Sequence, residues 1–91
     1  MAPIWTSSSA KHGVSKGDQL YAMTHANYKS IVQGEGLDGG QVYLFIGPPH
    51  AQTDREIEIL VNVFADGREA IVFHAMALGS KFAQYREDYP A

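Results

Sequence analysis

Between residues 57 and 76, an alternating segment followed by a turn restricts the possible folds of this chain more than any other pattern in it. Every second residue from Ile57 to Val63 is an isoleucine or a valine, and this period of two is that of a β-strand with one face in a core. Ala65-Asp66-Gly67 is a turn sequence, in which Gly67 suits the left-handed position of a three-residue loop. The segment from Glu69 to Met76 is then the return strand, so the pattern predicts an antiparallel hairpin.

The length of the hairpin loop decides which residues of the two strands face each other. A three-residue loop places Phe64 opposite Arg68 and Glu58 opposite His74. A two-residue loop would place His74 beside Ile59, where an imidazole would be buried without a partner. We therefore predict the three-residue loop, with the Cβ atoms of Glu58 and His74 about 4.5–5.5 Å apart.

A carboxylate beside a histidine has two interpretations. The carboxylate can orient the imidazole and raise its basicity, which suits general acid–base catalysis. Alternatively, Glu58 and His74 form an ordinary polar contact on a half-exposed sheet, which contributes roughly a few tenths of a kcal/mol.

Local patterns predict the other elements. Pro3 to Thr6 is a short extended segment, and the serines that follow favour a turn of helix ending at Gly13. Ser15, with an acid three residues later, predicts a helix cap. The predicted elements are a helix from Ser15 to about Asn27, strands Tyr28–Val32 and Val42–Ile46, a glycine-rich loop Gly34–Gly40, and a helix from Ser80 to about Glu87.

These elements predict an α+β fold with a short N-terminal strand, one or two helices, an antiparallel sheet of three to four strands and a short C-terminal helix. Helices should cover one face of the sheet, while the other face is partly polar or meets a partner. One core between helix and sheet is expected from Leu20, Met23, Val42, Leu44, Ile59, Val61, Ile71 and Phe73.

Composition narrows the possible classes of protein. A length of 91 residues suits one domain spanning residues 1–91. The absence of cysteine excludes a disulfide framework and a thiolate metal site, and the four histidines lack the spacing of a helical metal motif. We therefore expect no metal and no cofactor.

The first ten residues lack the basic start and apolar run of a signal peptide. Apolar runs also fall far short of the about 20 residues of a membrane span. A cytoplasmic location without membrane association is therefore expected.

Charge bears on whether nucleic acid is a partner. Seven Lys and Arg residues stand against ten Asp and Glu residues, for a net charge of -3. A nucleic-acid-binding protein usually carries a basic face, because phosphate contacts supply most of its non-specific affinity. The basic residues here are spread along the chain, so any RNA site must be assembled in three dimensions from a few of them.

Residues Lys11 to Ser15 carry a resemblance to a known family. A short strand containing Trp5, followed by Lys-His-Gly-Val-Ser leading into a helix, resembles the BrnT-like toxins of the wider RelE/ParE group. The strand from Val42 to Gly47, the Asp66-Gly67 turn and the short helix after Met76 follow the same order. The resemblance therefore spans nearly the whole chain.

The resemblance implies the toxin component of a type II toxin–antitoxin system. Toxins of this kind are small ribosome-associated ribonucleases that stop translation, and a small antitoxin with a ribbon-helix-helix DNA-binding part holds them inactive. The implied partners are that antitoxin, RNA or the ribosome, and a second copy of the chain in a homodimer.

The family also implies where a catalytic site would lie. Its members carry Arg and Lys residues from the last strand into the last helix, with a tyrosine near the end. This chain lacks the dense basic run but keeps Lys81, Tyr85 and Arg86, and His74 stands where the last strand would present its residue to the site. Cleavage of RNA without a metal needs a base for the 2′-hydroxyl, an acid for the leaving oxygen and cations for the phosphorane. His74 with Glu58 is the predicted base, and Lys81 and Arg86 are the predicted cations. Tyr85 completes the predicted catalytic set.

Contacts to RNA are predicted from Lys11, His12 and Arg55. The alternative function is a non-catalytic protein-interaction module of the same fold, which the acidic balance and an uncovered sheet face would suit. A small-ligand or operon-regulatory domain is a third interpretation. A neighbouring gene with a ribbon-helix-helix pattern would favour the toxin.

Overall fold

A computed structural model describes residues 3–34 and 36–90 and contains a five-stranded sheet with a helix on each face. Glu35, within the predicted glycine-rich loop, lies outside the described residues. The elements are β1 (Ile4–Trp5), a 3₁₀ turn (Ser7–Ala10), α1 (Lys16–Thr24), β2 (Tyr28–Val32), β3 (Gln41–Gly47), β4 (Ile57–Val63), β5 (Ile71–Ala77) and α2 (Ser80–Asp88). The α+β class and the predicted order of elements are confirmed.

The capping chemistry explains where α1 begins. The hydroxyl oxygen of Ser15 accepts a hydrogen bond from the backbone N–H of Asp18 at 3.1 Å, as the sequence predicts. Gly13 has a positive φ of 75°, which closes the preceding turn. The C-terminal helix begins at Ser80, and Gly79 is its cap residue.

The sheet has five strands in the order β1-β5-β4-β3-β2, so the prediction of three to four strands was too small. The added strand is β1, whose two residues pair in parallel with Ile71 and Val72 at the edge of the sheet. The other neighbours are antiparallel. The short strand itself was predicted, but its pairing with β5 was not, because this pairing joins residues far apart in the chain.

The core is divided between the two faces of the sheet, which corrects the prediction of one core and one uncovered face. Ala22 and Met23 of α1 pack on one face, which we call the α1 face, and Phe82 of α2 packs on the other, the α2 face. Val42, Leu44 and Phe73 belong to the α2 face, whereas Ile59 and Val61 belong to the α1 face. Ile71 is half-buried, and Leu20 is 44% exposed.

The connection between β4 and β5 is longer than predicted. Gly67 has the expected positive φ of 89°, but Asn62 and Ile71 are the last paired residues. Asp66 Oδ1 accepts a hydrogen bond from the backbone N–H of Arg68 at 3.1 Å, and the Arg68 guanidinium lies 3.9 Å from the centroid of the Phe64 ring. This side-chain hydrogen bond competes with ladder pairing, so a loop forms where a Phe64–Arg68 pair was predicted.

A β-bulge sets the register that brings the site together. Val61 pairs with Val72, and Leu60, which precedes Val61 in β4, pairs with His74. Phe73, between Val72 and His74, is therefore the extra residue of the bulge. Phe73 packs with the core of the α2 face, and His74 shares the face of its partner Leu60. The predicted pairing of Glu58 with His74 is therefore wrong: Glu58 faces Met76, two residues along β5.

Candidate functional site

Glu58 and His74 contact each other although they are not directly opposite. Because Glu58 pairs with Met76, His74 is its diagonal neighbour on the same face, within reach of long side chains. Nε2 of His74 lies 2.7 Å from Oε2 of Glu58. An ionised carboxylate only accepts hydrogen bonds, so Nε2 carries the hydrogen and Nδ1 is the basic nitrogen of the neutral ring. Nδ1 makes no hydrogen bond to any residue that the structure describes.

The beginning of α2 holds the second oxygen of Glu58. The backbone N–H of Gly79 donates to Oε1 at 2.8 Å, so both carboxylate oxygens are occupied. The Glu58 side chain is 5% exposed, whereas that of His74 is 25% exposed. The positive end of the helix dipole favours a carboxylate at this position. Glu58 is thus a fixed, buried group that orients a histidine reached by solvent.

The Glu58–His74 pair lies in an open cleft of about 490 Å³ on the α2 face. The first turn of α2 forms one wall of this cleft, with Lys81 as its cationic side chain. Nζ of Lys81 stands 5.0 Å from the centroid of the Phe82 ring, and Lys81 is exposed. A histidine, the carboxylate that orients it and a lysine therefore line one cleft, which we call the His74 cleft.

One of the residues predicted to contact RNA, His12, lies beside this cleft. The ring centroids of His12 and His74 are 5.9 Å apart, in an edge-to-face arrangement. His12 also lines a second cleft of about 240 Å³ together with Arg55 and Asp18. Lys11 is exposed in the turn that precedes Gly13. Two of the three predicted contact residues thus meet in one cleft, and His12 stands between it and the His74 cleft.

Tyr85 and Arg86 lie further along α2 and do not line the His74 cleft. Arg86 donates two hydrogen bonds to Glu56, at 2.9 and 3.1 Å, and Asn27 donates a third at 3.0 Å. The hydrogen bond from Arg86 holds the pKa of Glu56 below its ordinary value, against burial, which raises it. The same hydrogen bond raises the pKa of Arg86. Tyr85 donates its hydroxyl hydrogen to the carbonyl oxygen of Ile31 at 2.8 Å.

Sequence reasoning missed two residues that support the site. Gly79 supplies its N–H to Glu58, and the signal that could have revealed it is the start of a helix, where backbone N–H groups need acceptors. Gln19, which is 1% exposed, donates to the carbonyl oxygens of Ser9 and Val14 at 3.2 and 2.9 Å. No sequence pattern distinguishes this glutamine from a surface residue of α1.

Comparison of the chain with family models, with curated proteins and with solved structures found no match. The resemblance to BrnT-like toxins therefore stays a prediction that residues of the sequence carry. Within residues 3–34 and 36–90, no helix combines the length and apolar character that a bilayer span requires. In the same described part of the chain, no three histidine, aspartate or glutamate side chains gather where they could hold a metal ion.

Proposed function

We propose that this protein is the toxin of a type II toxin–antitoxin system and acts in the bacterial cytoplasm as an endoribonuclease that needs no metal. The observation that carries the proposal is the His74 cleft, in which a carboxylate-oriented histidine and a lysine line one open surface. These are two of the three kinds of group that the cleavage of RNA by its own 2′-hydroxyl requires. The resemblance at Lys11 to Ser15 supports the same class.

In this proposal His74 is the general base. Its Nε2–H is held by Glu58, so Nδ1 takes the proton of the 2′-hydroxyl as that oxygen attacks phosphorus. The carboxylate stabilises the imidazolium that forms and keeps the ring in one tautomer. Lys81 supplies positive charge to the phosphorane oxygens, assisted by the N-terminal end of α2, which favours anions.

Growth of a bacterial host tests the proposal. Induction of the protein alone should arrest growth, and the purified protein should cleave RNA in the presence of a chelator, leaving a 2′,3′-cyclic phosphate. His74→Gln should relieve the arrest and slow cleavage by about 10²–10⁴-fold, because an acid–base group is lost. Glutamine retains an N–H that can donate to Glu58, so the buried carboxylate keeps a partner.

His50→Gln is the matched control, because His50 is exposed and its Nδ1 is hydrogen-bonded to the carbonyl oxygen of Ala51, away from the His74 cleft. This variant should arrest growth as the parent does. Normal growth with abundant folded parent protein would contradict the proposal. Equal toxicity of His74→Gln and His50→Gln would remove His74 from the mechanism.

A non-catalytic interaction module is the second candidate function, and one observation favours it. A groove of about 430 Å³ beside α1 is lined largely by apolar side chains, among them Leu20, Met23, Phe45 and Val63. An apolar surface of this kind suits a protein partner such as the ribbon-helix-helix antitoxin. This function predicts stable binding of a neighbouring gene product without any cleavage of RNA by the protein alone.

A further inference from the structure

The proposed reaction leaves one role without a residue. When the 2′-hydroxyl attacks phosphorus, the bond from phosphorus to the 5′-oxygen breaks, and that oxygen needs a proton. Glu58 is buried with both carboxylate oxygens held by His74 and Gly79, and Lys81 is needed as a cation. A second proton-exchanging side chain must therefore reach the same phosphodiester.

We propose that His12 is the general acid of the proposed ribonuclease reaction, an inference that rests on the proposed function. Its ring centroid lies 5.9 Å from that of His74, with an angle of 75° between the ring planes. Two rings at this separation can touch one phosphodiester from different sides. Histidine is also the side chain that can give up a proton near neutral pH and regain it from water.

The environments of the two histidines suit opposite roles. Nε2 of His74 is hydrogen-bonded to the buried carboxylate of Glu58, which leaves Nδ1 to meet the 2′-hydroxyl. His12 is exposed, and within the described residues its ring is not hydrogen-bonded to a carboxylate. It lines the second cleft with Arg55, whose charge can hold the phosphate of the next nucleotide. A strand of RNA would then run from Lys81 to Arg55 across both rings.

The turn that carries His12 is held on both sides. The hydroxyl of Ser8 donates to the carbonyl oxygen of Phe73 at 2.7 Å, which ties the preceding segment to β5. The buried amide of Gln19 donates to Ser9 and Val14, which bracket the turn. A general acid must come within about 2.6–3.2 Å of the atom that it protonates, and these anchors fix the backbone that carries the ring.

Each proton in the step has a source and a destination. The 2′-hydroxyl proton passes to Nδ1 of His74 as the oxygen–phosphorus bond forms. The bond from phosphorus to the 5′-oxygen breaks, and a ring N–H of His12 supplies the proton of the new 5′-hydroxyl. The products are a 2′,3′-cyclic phosphate and a 5′-hydroxyl, and water returns both histidines to their starting states.

A substrate with a sulfur leaving group tests the assignment. A 5′-bridging phosphorothiolate releases a thiolate, which needs no general acid. His12→Gln should slow cleavage of ordinary RNA by about 10²–10⁴-fold, the range of a general acid, but slow cleavage of the sulfur substrate by less than about tenfold. His74→Gln should slow both substrates, because the base is still required. His50→Gln should match the parent on both.

Each result separates this inference from the proposed function. If the parent protein cleaves neither substrate, the proposed function and the role of His12 are both contradicted. If the parent cleaves RNA and His12→Gln cleaves ordinary RNA equally fast, or loses both substrates to the same degree, His12 is not the acid while the proposed function stands. Urea unfolding of His12→Gln should match that of the parent, because the side chain is exposed.

Discussion

The same kind of residue has different consequences at two positions of this protein. Glu58 and Glu56 lie two residues apart and both accept hydrogen bonds from basic side chains. The partner of Glu58 is a histidine in an open cleft, whereas the partner of Glu56 is an arginine that makes two hydrogen bonds. We therefore assign acid–base chemistry to the first pair and attachment of α2 to the second.

The Glu56–Arg86 pair predicts a pH-dependent stability. Arg86→Gln should lower the free energy of unfolding at pH 7 by about 1–3 kcal/mol, because a carboxylate loses a charged hydrogen-bond partner. Arg86 lowers the pKa of Glu56 from its ordinary 4.5 in the folded protein. The stabilisation is therefore present above that ordinary value and is lost as pH falls through the lowered one. Urea unfolding at several pH values should show the difference from the parent shrinking in acid.

Arg55→Gln is the control for this prediction, because it removes the same charge from an exposed side chain. Its effect on unfolding should be small at each pH. A difference between the parent and Arg86→Gln that stays constant from pH 7 into acid would show that ionisation of Glu56 is not its origin.

At the scale of elements, the close approach of α1 to β3 depends on one glycine. A Cβ built on Gly47 would lie 2.5 Å from the carbonyl oxygen of Ala22 and 3.0 Å from the Cα of Ala26. These are backbone atoms, so the helix itself would have to move. Gly47→Ala should therefore destabilise the protein by about 1–3 kcal/mol through overpacking, as measured by urea unfolding.

Gly17 provides the opposite comparison within α1. A Cβ at Gly17 would meet nothing closer than the hydroxyl oxygen of Ser15 at 4.0 Å. Gly17→Ala should stabilise the protein by about 0.5–1 kcal/mol, because alanine loses less conformational freedom in a helix. If Gly47→Ala were as well tolerated as Gly17→Ala, the packing of α1 on the sheet would differ from that described.

At the scale of the whole molecule, stability depends on helices covering both faces of the sheet. Phe82 is 4% exposed and is the side chain of α2 that is buried in the core of the α2 face. Phe82→Ala should cost about 3–5 kcal/mol, a large part of the about 5–15 kcal/mol that holds a domain folded. Thermal and urea unfolding measure this loss. RNA cleavage should fall with it, because α2 also carries Gly79 and Lys81.

Leu37→Ala is the control, because Leu37 is 59% exposed. Its effect should stay within about 0.5 kcal/mol, as for most surface substitutions. A loss below about 1 kcal/mol for Phe82→Ala would contradict a core on the α2 face.

Local sequence patterns were enough to predict the α+β class, the order of the elements and several of their ends. These features depend on neighbouring residues, such as the alternation from Ile57 to Val63 and the Ser15 cap, so a local pattern suffices to predict them. The sequence also brought Glu58 and His74 to one face of the sheet, although through the wrong pairing.

The register of β5 and the set of residues that form the site depend on contacts between distant parts of the chain. The bulge at Phe73 lets Phe73 and His74 both occupy the α2 face while Ala75 packs against Ile59 on the α1 face. An imidazole at the position of Ala75 would be buried without a partner. His12 reaches His74 because the N-terminal segment attaches to β5. These outcomes depend on packing between residues about 60 positions apart, which no local pattern encodes.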